Sequence, residues 1–162
     1  MIVPIKKPCK TTFVEHLIDA DTANALFTVL RDEIPWEDGI KSKSGFTRKA
    51  HSCNMGNYPQ VDSLITQALD KLAQTDAYAI FGIYLNYYRN GEDWTPSHNH
   101  PGTQQIVISL GATRTLNVAK KSYQMSSGSA IIFGSSQHGV PKEPTVLEGR
   151  ISIATFMKAV QT

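Results

Sequence analysis

Ala79-Ile80-Phe81-Gly82-Ile83-Tyr84-Leu85-Asn86-Tyr87-Tyr88 opens the part of the chain that decides the fold. The run is β-branched and aromatic, and four more of its kind follow: Gln104–Leu110, Thr113–Ala119, Ser129–Phe133 and Arg150–Met157. Gly, Pro, Asn and Ser punctuate them, as strand-connecting turns require. No helical period separates one run from the next, so the pattern predicts antiparallel pairing rather than βαβ units. A double-sheet jelly roll is the natural way for such strands to protect their edges.

The half that precedes these strands reads as helical. Asp21 is placed to cap a helix running to about Glu33, with Leu26, Val29, Leu30 and Ile34 on one face. A second helix is predicted over Val61–Gln74, where Val61, Leu64, Ile65, Ala68, Leu69 and Leu72 form a 3.6-residue stripe. Between them, Pro35–Pro59 contains Gly39, Gly45 and Gly56 and shows no sustained period. So long a connection reads as a binding loop, a lid or an undetected hairpin. The expectation is an α+β chain: a jelly roll with two packing helices in its N-terminal half. Residues 1–162 form one domain in this reading, with 1–78 as helical support and recognition loop and 79–157 as the jelly-roll core.

Composition narrows the function. With 41% apolar and 19% charged residues the chain is an ordinary globular sequence, and 16 basic against 14 acidic groups give only +2. Bulk charge therefore does not argue for nucleic-acid binding. Cys9 and Cys53 are too few and too far apart for a disulfide framework or a thiolate metal site. Two reduced thiols fit a cytoplasmic or other reducing intracellular compartment. Lys6 and Lys7 are followed by no apolar signal segment, and the longest apolar run, Ala77 to Leu85, is far short of a membrane span.

Three of the five histidines carry the chemistry. His98 and His100 are separated by one residue, so in an extended segment their rings share a face and can meet one metal ion. His138 has to reach that ion from another strand. Imidazole is the commonest neutral ligand of iron, zinc and copper. By spacing alone, Ser97-His98-Asn99-His100-Pro101 reads equally well as a solvated turn.

The surrounding order is more specific. Asn86-Tyr87-Tyr88-Arg89-Asn90-Gly91 precedes the histidine pair, and Ser109-Leu110-Gly111-Ala112-Thr113-Arg114 follows it. Then come His138-Gly139-Val140-Pro141 and Arg150-Ile151-Ser152-Ile153-Ala154-Thr155-Phe156. This order resembles the AlkB-like family of Fe(II)/2-oxoglutarate-dependent dioxygenases over residues 79 to 157, about half of the chain. The resemblance implies Fe(II) and 2-oxoglutarate as cofactors, with O2. It implies His98 and His138 as iron ligands, and Asn86, Tyr88, Arg150 and Ser152 as co-substrate contacts. Arg150 would grip the distal carboxylate, a task suited to a planar bidentate fork.

Two positions and one interval depart from that pattern. The acidic ligand position holds His100, which leaves a three-imidazole face and shifts metal choice toward softer ions. Another divalent metal in the purified protein is therefore expected as an alternative to iron. Met157 stands where many AlkB-like proteins have a second arginine, and the interval from His100 to His138 is short.

Residues 35 to 51 carry Lys41, Lys43, Arg48 and Lys49 against Glu37 and Asp38, with Trp36 and Phe46 among them. Cations interleaved with aromatics suit a phosphate backbone and an unpaired base. A solvated basic loop tacked down by its aromatics reads as well. Trp36, Arg48 and His51 are the predicted substrate contacts, and Arg114, Lys120 and Lys121 extend the basic surface. The leading expectation is oxidative dealkylation of a nucleobase in DNA, RNA or a nucleotide. The same chemistry on a protein side chain or small metabolite is the alternative, and a non-catalytic jelly roll that binds ligand is the third.

Overall fold

A computed structural model describes residues 2–3, 10–42, 45–73 and 78–160. The elements run β1 (Ile2–Val3), β2 (Thr12–Val14), α1 (Ala20–Glu33), β3 (Glu37–Asp38), β4 (Lys41–Ser42), β5 (Gly45–Phe46) and β6 (Lys49–Cys53). After α2 (Pro59–Ala68) come β7 (Tyr78–Tyr88), β8 (Thr95–His98), β9 (Gln104–Gly111), β10 (Arg114–Val118) and β11 (Lys121–Met125). The chain ends in β12 (Ala130–Phe133), β13 (His138–Val140) and β14 (Arg150–Val160).

Every strand pairs antiparallel with its neighbours. The larger sheet has the order β2-β12-β9-β14-β7-β6-β3, with β1 on the far end of β14. The smaller has the order β11-β10-β13-β8, and β4-β5 is a separate hairpin. The period of two along β9 and β14 divides the core into two layers. Ile106, Ile108, Leu110, Ile151 and Ile153 face α1 and α2, where they meet Ala23, Leu30, Leu64 and Ile65. Val107, Ala154 and Phe156 face the smaller sheet, where they meet Leu116, Val118 and Val140, and Phe133 of β12 joins them from the larger sheet. This is the expected jelly roll with two helices on one face.

Several boundaries differ from the sequence reading. The cap of α1 is Asp19, not Asp21, because its carboxylate reaches the Thr22 N–H at 2.8 Å. Asp21 sits within the first turn, where its charge still suits the helix N-terminus. The second helix starts at Pro59 and continues past Ala68 as one π-helical turn, Leu69–Ala73. Its expected end at Gln74 lies outside the described residues, as does Cys9.

The largest correction is to Pro35–Pro59. It is a nested hairpin, and β6 within it pairs with β7 in the larger sheet. A strand whose inner face lines a wet cavity has no reason to alternate apolar with polar. Lys49-Ala50-His51-Ser52-Cys53 therefore carries no strand signature. The short strands β8 and β13 escape notice for the same reason. β11 is hidden by its turn, where Ala119 takes φ 53°, a position more usual for Gly or Asn.

Candidate functional site

His98 and His138 are direct cross-strand partners on β8 and β13. The strands approach closely at Gly139, where a Cβ would meet the Thr95 carbonyl oxygen at 2.9 Å and the Ser97 nitrogen at 3.0 Å. Any side chain there would push the two strands apart. His100 follows just beyond β8 and its ring makes a T-shaped contact with Phe156, with centroids 4.8 Å apart. The ligand atoms of His98, His100 and His138 all lie within 4.8 Å of one another. Bonds of about 2.1 Å to a shared ion hold ligand atoms at most about 4.2 Å apart, so a bound metal would draw the rings slightly closer.

The tautomers of two rings follow from their partners. Nδ1 of His98 lies 2.8 Å from the Pro96 carbonyl oxygen, and Nδ1 of His138 lies 2.9 Å from that of Ser136. A carbonyl oxygen only accepts, so both Nδ1 atoms carry the proton and both Nε2 lone pairs are presented to the cluster. Backbone orientation of this kind is the usual second layer of a metal site. The side-chain amide of Gln105 donates to Nε2 of His138 at 3.3 Å. Asp93, a carboxylate close in sequence, is held by Arg89 at 2.8 Å.

Burial pushes the His138 imidazole down to about 4, against the Ser136 carbonyl, with His98 and His100 adding like-charge repulsion. His100 is lowered too, by burial and by His98. At neutral pH both are therefore uncharged ligands, the form a metal needs. The same shift fixes a pH dependence. The unfolded chain takes up the proton near 6.5 and the folded one near 4, so metal-free stability falls as pH drops through that window. The loss is at most about 3 kcal/mol. Thermal melts of metal-free protein between pH 7 and pH 4 check it. A slope that persists unchanged in His138→Asn would show that another group is the source.

Beside the cluster, β7 and β14 place the remaining residues in register. Asn86 pairs with Ser152 and Tyr88 with Arg150, all on the inward face. Arg150 is 1% exposed. Its Nε donates to Ser109 Oγ at 2.7 Å, and that hydroxyl is 3.3 Å from the Met125 carbonyl. Its two terminal nitrogens are buried with no hydrogen-bond partner among the described residues. Burial lowers this guanidinium to about 10, which leaves it charged at neutral pH. Tyr88 packs its ring against it, with the guanidinium carbon 5.3 Å from the centroid, and the phenol pairs with Thr95 Oγ1 at 2.6 Å.

Arg114 shows what a structural buried arginine looks like. It is also 1% exposed, yet it donates to the carbonyls of Asn90, Asp93 and Pro141 and to Glu143. It ties loops together and does not extend a basic surface, contrary to the sequence reading. Lys120 and Lys121 line a different groove, with Asn117 and Lys142.

A cavity of about 590 Å³ joins these groups, bounded by the three histidines, Gln105, Asn86, Tyr88, Arg150 and Ser152. Of the predicted substrate contacts, Arg48 and His51 line it. Arg48 donates from Nε to Asn86 Oδ1 at 2.9 Å, and His51 meets the Tyr58 hydroxyl at 3.0 Å. Trp36 does not line it. Its indole donates to the Arg31 carbonyl at 3.0 Å and its ring packs on Tyr87, so it anchors the hairpin to the core. Gln105, Ser109 and Thr95 were missed, although a Gln pair opening an aliphatic strand is itself a signal of a polar interior.

No family model matches the chain, and no curated protein matches it. Solved structures do. HygX of Streptomyces hygroscopicus, with nickel and 2-oxoglutarate bound, aligns at TM-score 0.70 and 8% identity over 91% of this chain and 82% of its own. The viral collagen prolyl hydroxylase of Paramecium Bursaria Chlorella virus-1, a 2-oxoglutarate complex, aligns at 0.67 and 12% over 93% and 96%. A prolyl-4-hydroxylase of Pseudomonas putida aligns at 0.61 and 14% over 91% and 92%. The chain has the fold of the Fe(II)- and 2-oxoglutarate-dependent oxygenases. Among the described residues, no helix is long and apolar enough to cross a membrane.

Proposed function

We propose that the protein is an Fe(II)- and 2-oxoglutarate-dependent oxygenase, with metal on His98, His100 and His138 and the distal carboxylate of 2-oxoglutarate on Arg150. The observation that carries this reading is the Arg150 fork: charged, buried, and with both terminal nitrogens unpartnered beside a three-histidine cluster. A buried donor pair left empty costs free energy unless something completes it. A carboxylate has the two acceptors, the spacing and the charge to do so.

When bound, iron and 2-oxoglutarate would supply the oxidation, one oxygen atom of O2 going to succinate as 2-oxoglutarate loses CO2 and the other to a substrate C–H bond. The chain's own residues hold and orient. Ser109 fixes the Arg150 plane through Nε, Tyr88 closes over the guanidinium, and Asn86 and Ser152 form a polar floor. The Pro96 and Ser136 carbonyls aim two imidazole lone pairs at one point. Gln105 satisfies the His138 lone pair that a metal would otherwise use.

For the substrate, a small molecule or a protein side chain fits better than nucleic acid. The AlkB-like motif order favours an alkylated nucleobase, but that reading leans on the basic hairpin. There Lys49 is paired with Asp38 at 2.6 Å, Arg48 is engaged by Asn86, and Trp36 is on the core. Succinate release by protein supplied with Fe(II), ascorbate, O2 and 2-oxoglutarate is the expected result. Binding of 2-oxoglutarate without succinate would leave a ligand-binding jelly roll. Stimulation by a methylated oligonucleotide would restore the nucleobase.

A further inference from the structure

Strands β7 and β14 are out of step at one point. Phe156 stands opposite Gly82, but Met157 stands opposite Ile80, so Phe81 is an extra residue on β7. On the C-terminal side of this bulge, Ile83 and Leu85 point at the helices; on the N-terminal side, Tyr78 and Ile80 do. Unbroken alternation would place Phe81 with Ile83 and Leu85 in that core. The bulge re-aims it into the cavity, on the same lip as Tyr84 and Phe156.

The result is an aromatic corner. The Tyr84 ring stands at 88° to Phe156 with centroids 5.4 Å apart, and Phe81 lies 6.2 Å from Phe156 at 50°. Gly82 makes room for it, since a Cβ there would meet the Tyr84 ring at 3.3 Å. Phe156 also touches His100, so the corner runs without a break into the histidine cluster. Phe81 and Tyr84 remain 52% and 47% exposed. Rings left this open at a cavity mouth mark a contact surface rather than core packing.

We infer that this corner holds an aromatic ring of the substrate and presents an adjacent carbon to the metal. The inference deepens the oxygenase reading and rests on it. Two walls near a right angle offer a third ring one face and one edge at once, the arrangement aromatic groups prefer. A flexible aliphatic chain of equal hydrophobicity gains only burial from the same walls. The corner thus selects ring over chain, not merely apolar over polar.

The test uses metal-free protein, so it does not depend on turnover. 2-Naphthol and 1-octanol are titrated separately into the wild type, Phe81→Leu and Tyr84→Leu, with binding read by ligand-observed NMR and folding by circular dichroism. The wild type should bind naphthol at least about tenfold more tightly than octanol, about 1.4 kcal/mol. Both leucine variants should lose that preference while remaining folded. Equal affinity for the two probes in the wild type, or an unchanged preference in both variants, overturns the inference. So does self-association in the ultracentrifuge that Phe81→Leu abolishes, which would make the corner a contact between two copies. Calorimetry of 2-oxoglutarate on wild-type protein reads the oxygenase proposal separately, so failure of one is not mistaken for failure of the other.

Discussion

Replacing Arg150 with Leu should abolish 2-oxoglutarate binding and leave the fold at least as stable as before. The two effects have one cause. Arg150 sits at 1% exposure with only Nε satisfied, so in the ligand-free protein its charge and its terminal donors are a cost. Removing them relieves that cost and leaves a cavity, with a net gain on the order of 1 kcal/mol. Binding goes the other way. Truncating one side of a buried charged pair costs about 2–5 kcal/mol, so calorimetric affinity should fall at least about thirtyfold, with metal content unchanged. Arg114→Leu is the control of opposite sign. Its guanidinium joins the Asn90, Asp93 and Pro141 carbonyls and Glu143, and losing it should destabilise the fold by about 3–5 kcal/mol. Unaltered 2-oxoglutarate affinity in Arg150→Leu would remove this residue from the site.

The two arginines also show how far the sequence could be read. Arg114 and Arg150 each open a strand with similar neighbours. Sequence cannot tell that one is clamped and the other open, because that depends on where three loop carbonyls fall. The strands with two apolar faces were legible, as β9 and β14 show, since period and β-branching there report burial directly. Strands β6, β8 and β13 were not, because one face of each belongs to the site and obeys chemistry rather than hydrophobicity. Of the hairpin residues singled out for substrate, Arg48 and His51 reach the cavity and Trp36 does not. An aromatic beside cations has the same signature whether it stacks on a ligand or on Tyr87. The aromatic corner lay beyond reach for a further reason: a bulge inverts the parity by which faces are assigned, and Gly82 inside the strand marks a bulge without fixing which residue is the extra one.

His100 is where the largest change in metal chemistry is expected. Its ring stands 4.9 Å from that of His98 and 5.6 Å from that of His138, and burial together with His98 keeps it neutral. Three neutral donors hold a divalent ion without offsetting its charge, which favours softer ions over Fe(II). His100→Ala should empty the site, because two imidazoles make a poor cage. His100→Asp should do the reverse for iron. The residue is half-buried at the cavity edge, so the shorter side chain opens space to solvent rather than a sealed void. A carboxylate two residues from His98 on the same face restores one negative charge and a hard oxygen donor. Fe(II) affinity should rise about tenfold or more, roughly 1.4 kcal/mol, and succinate release at limiting Fe(II) should rise with it. Metal analysis after dialysis against equal Fe(II) and Ni(II), on wild type and both variants, makes the comparison. Equal metal content in wild type and His100→Ala would mean that His100 is no ligand. Equal succinate release from wild type and His100→Asp at limiting Fe(II) would mean that three histidines suffice, and that 2-oxoglutarate, a dianion anchored on Arg150, supplies the missing charge itself.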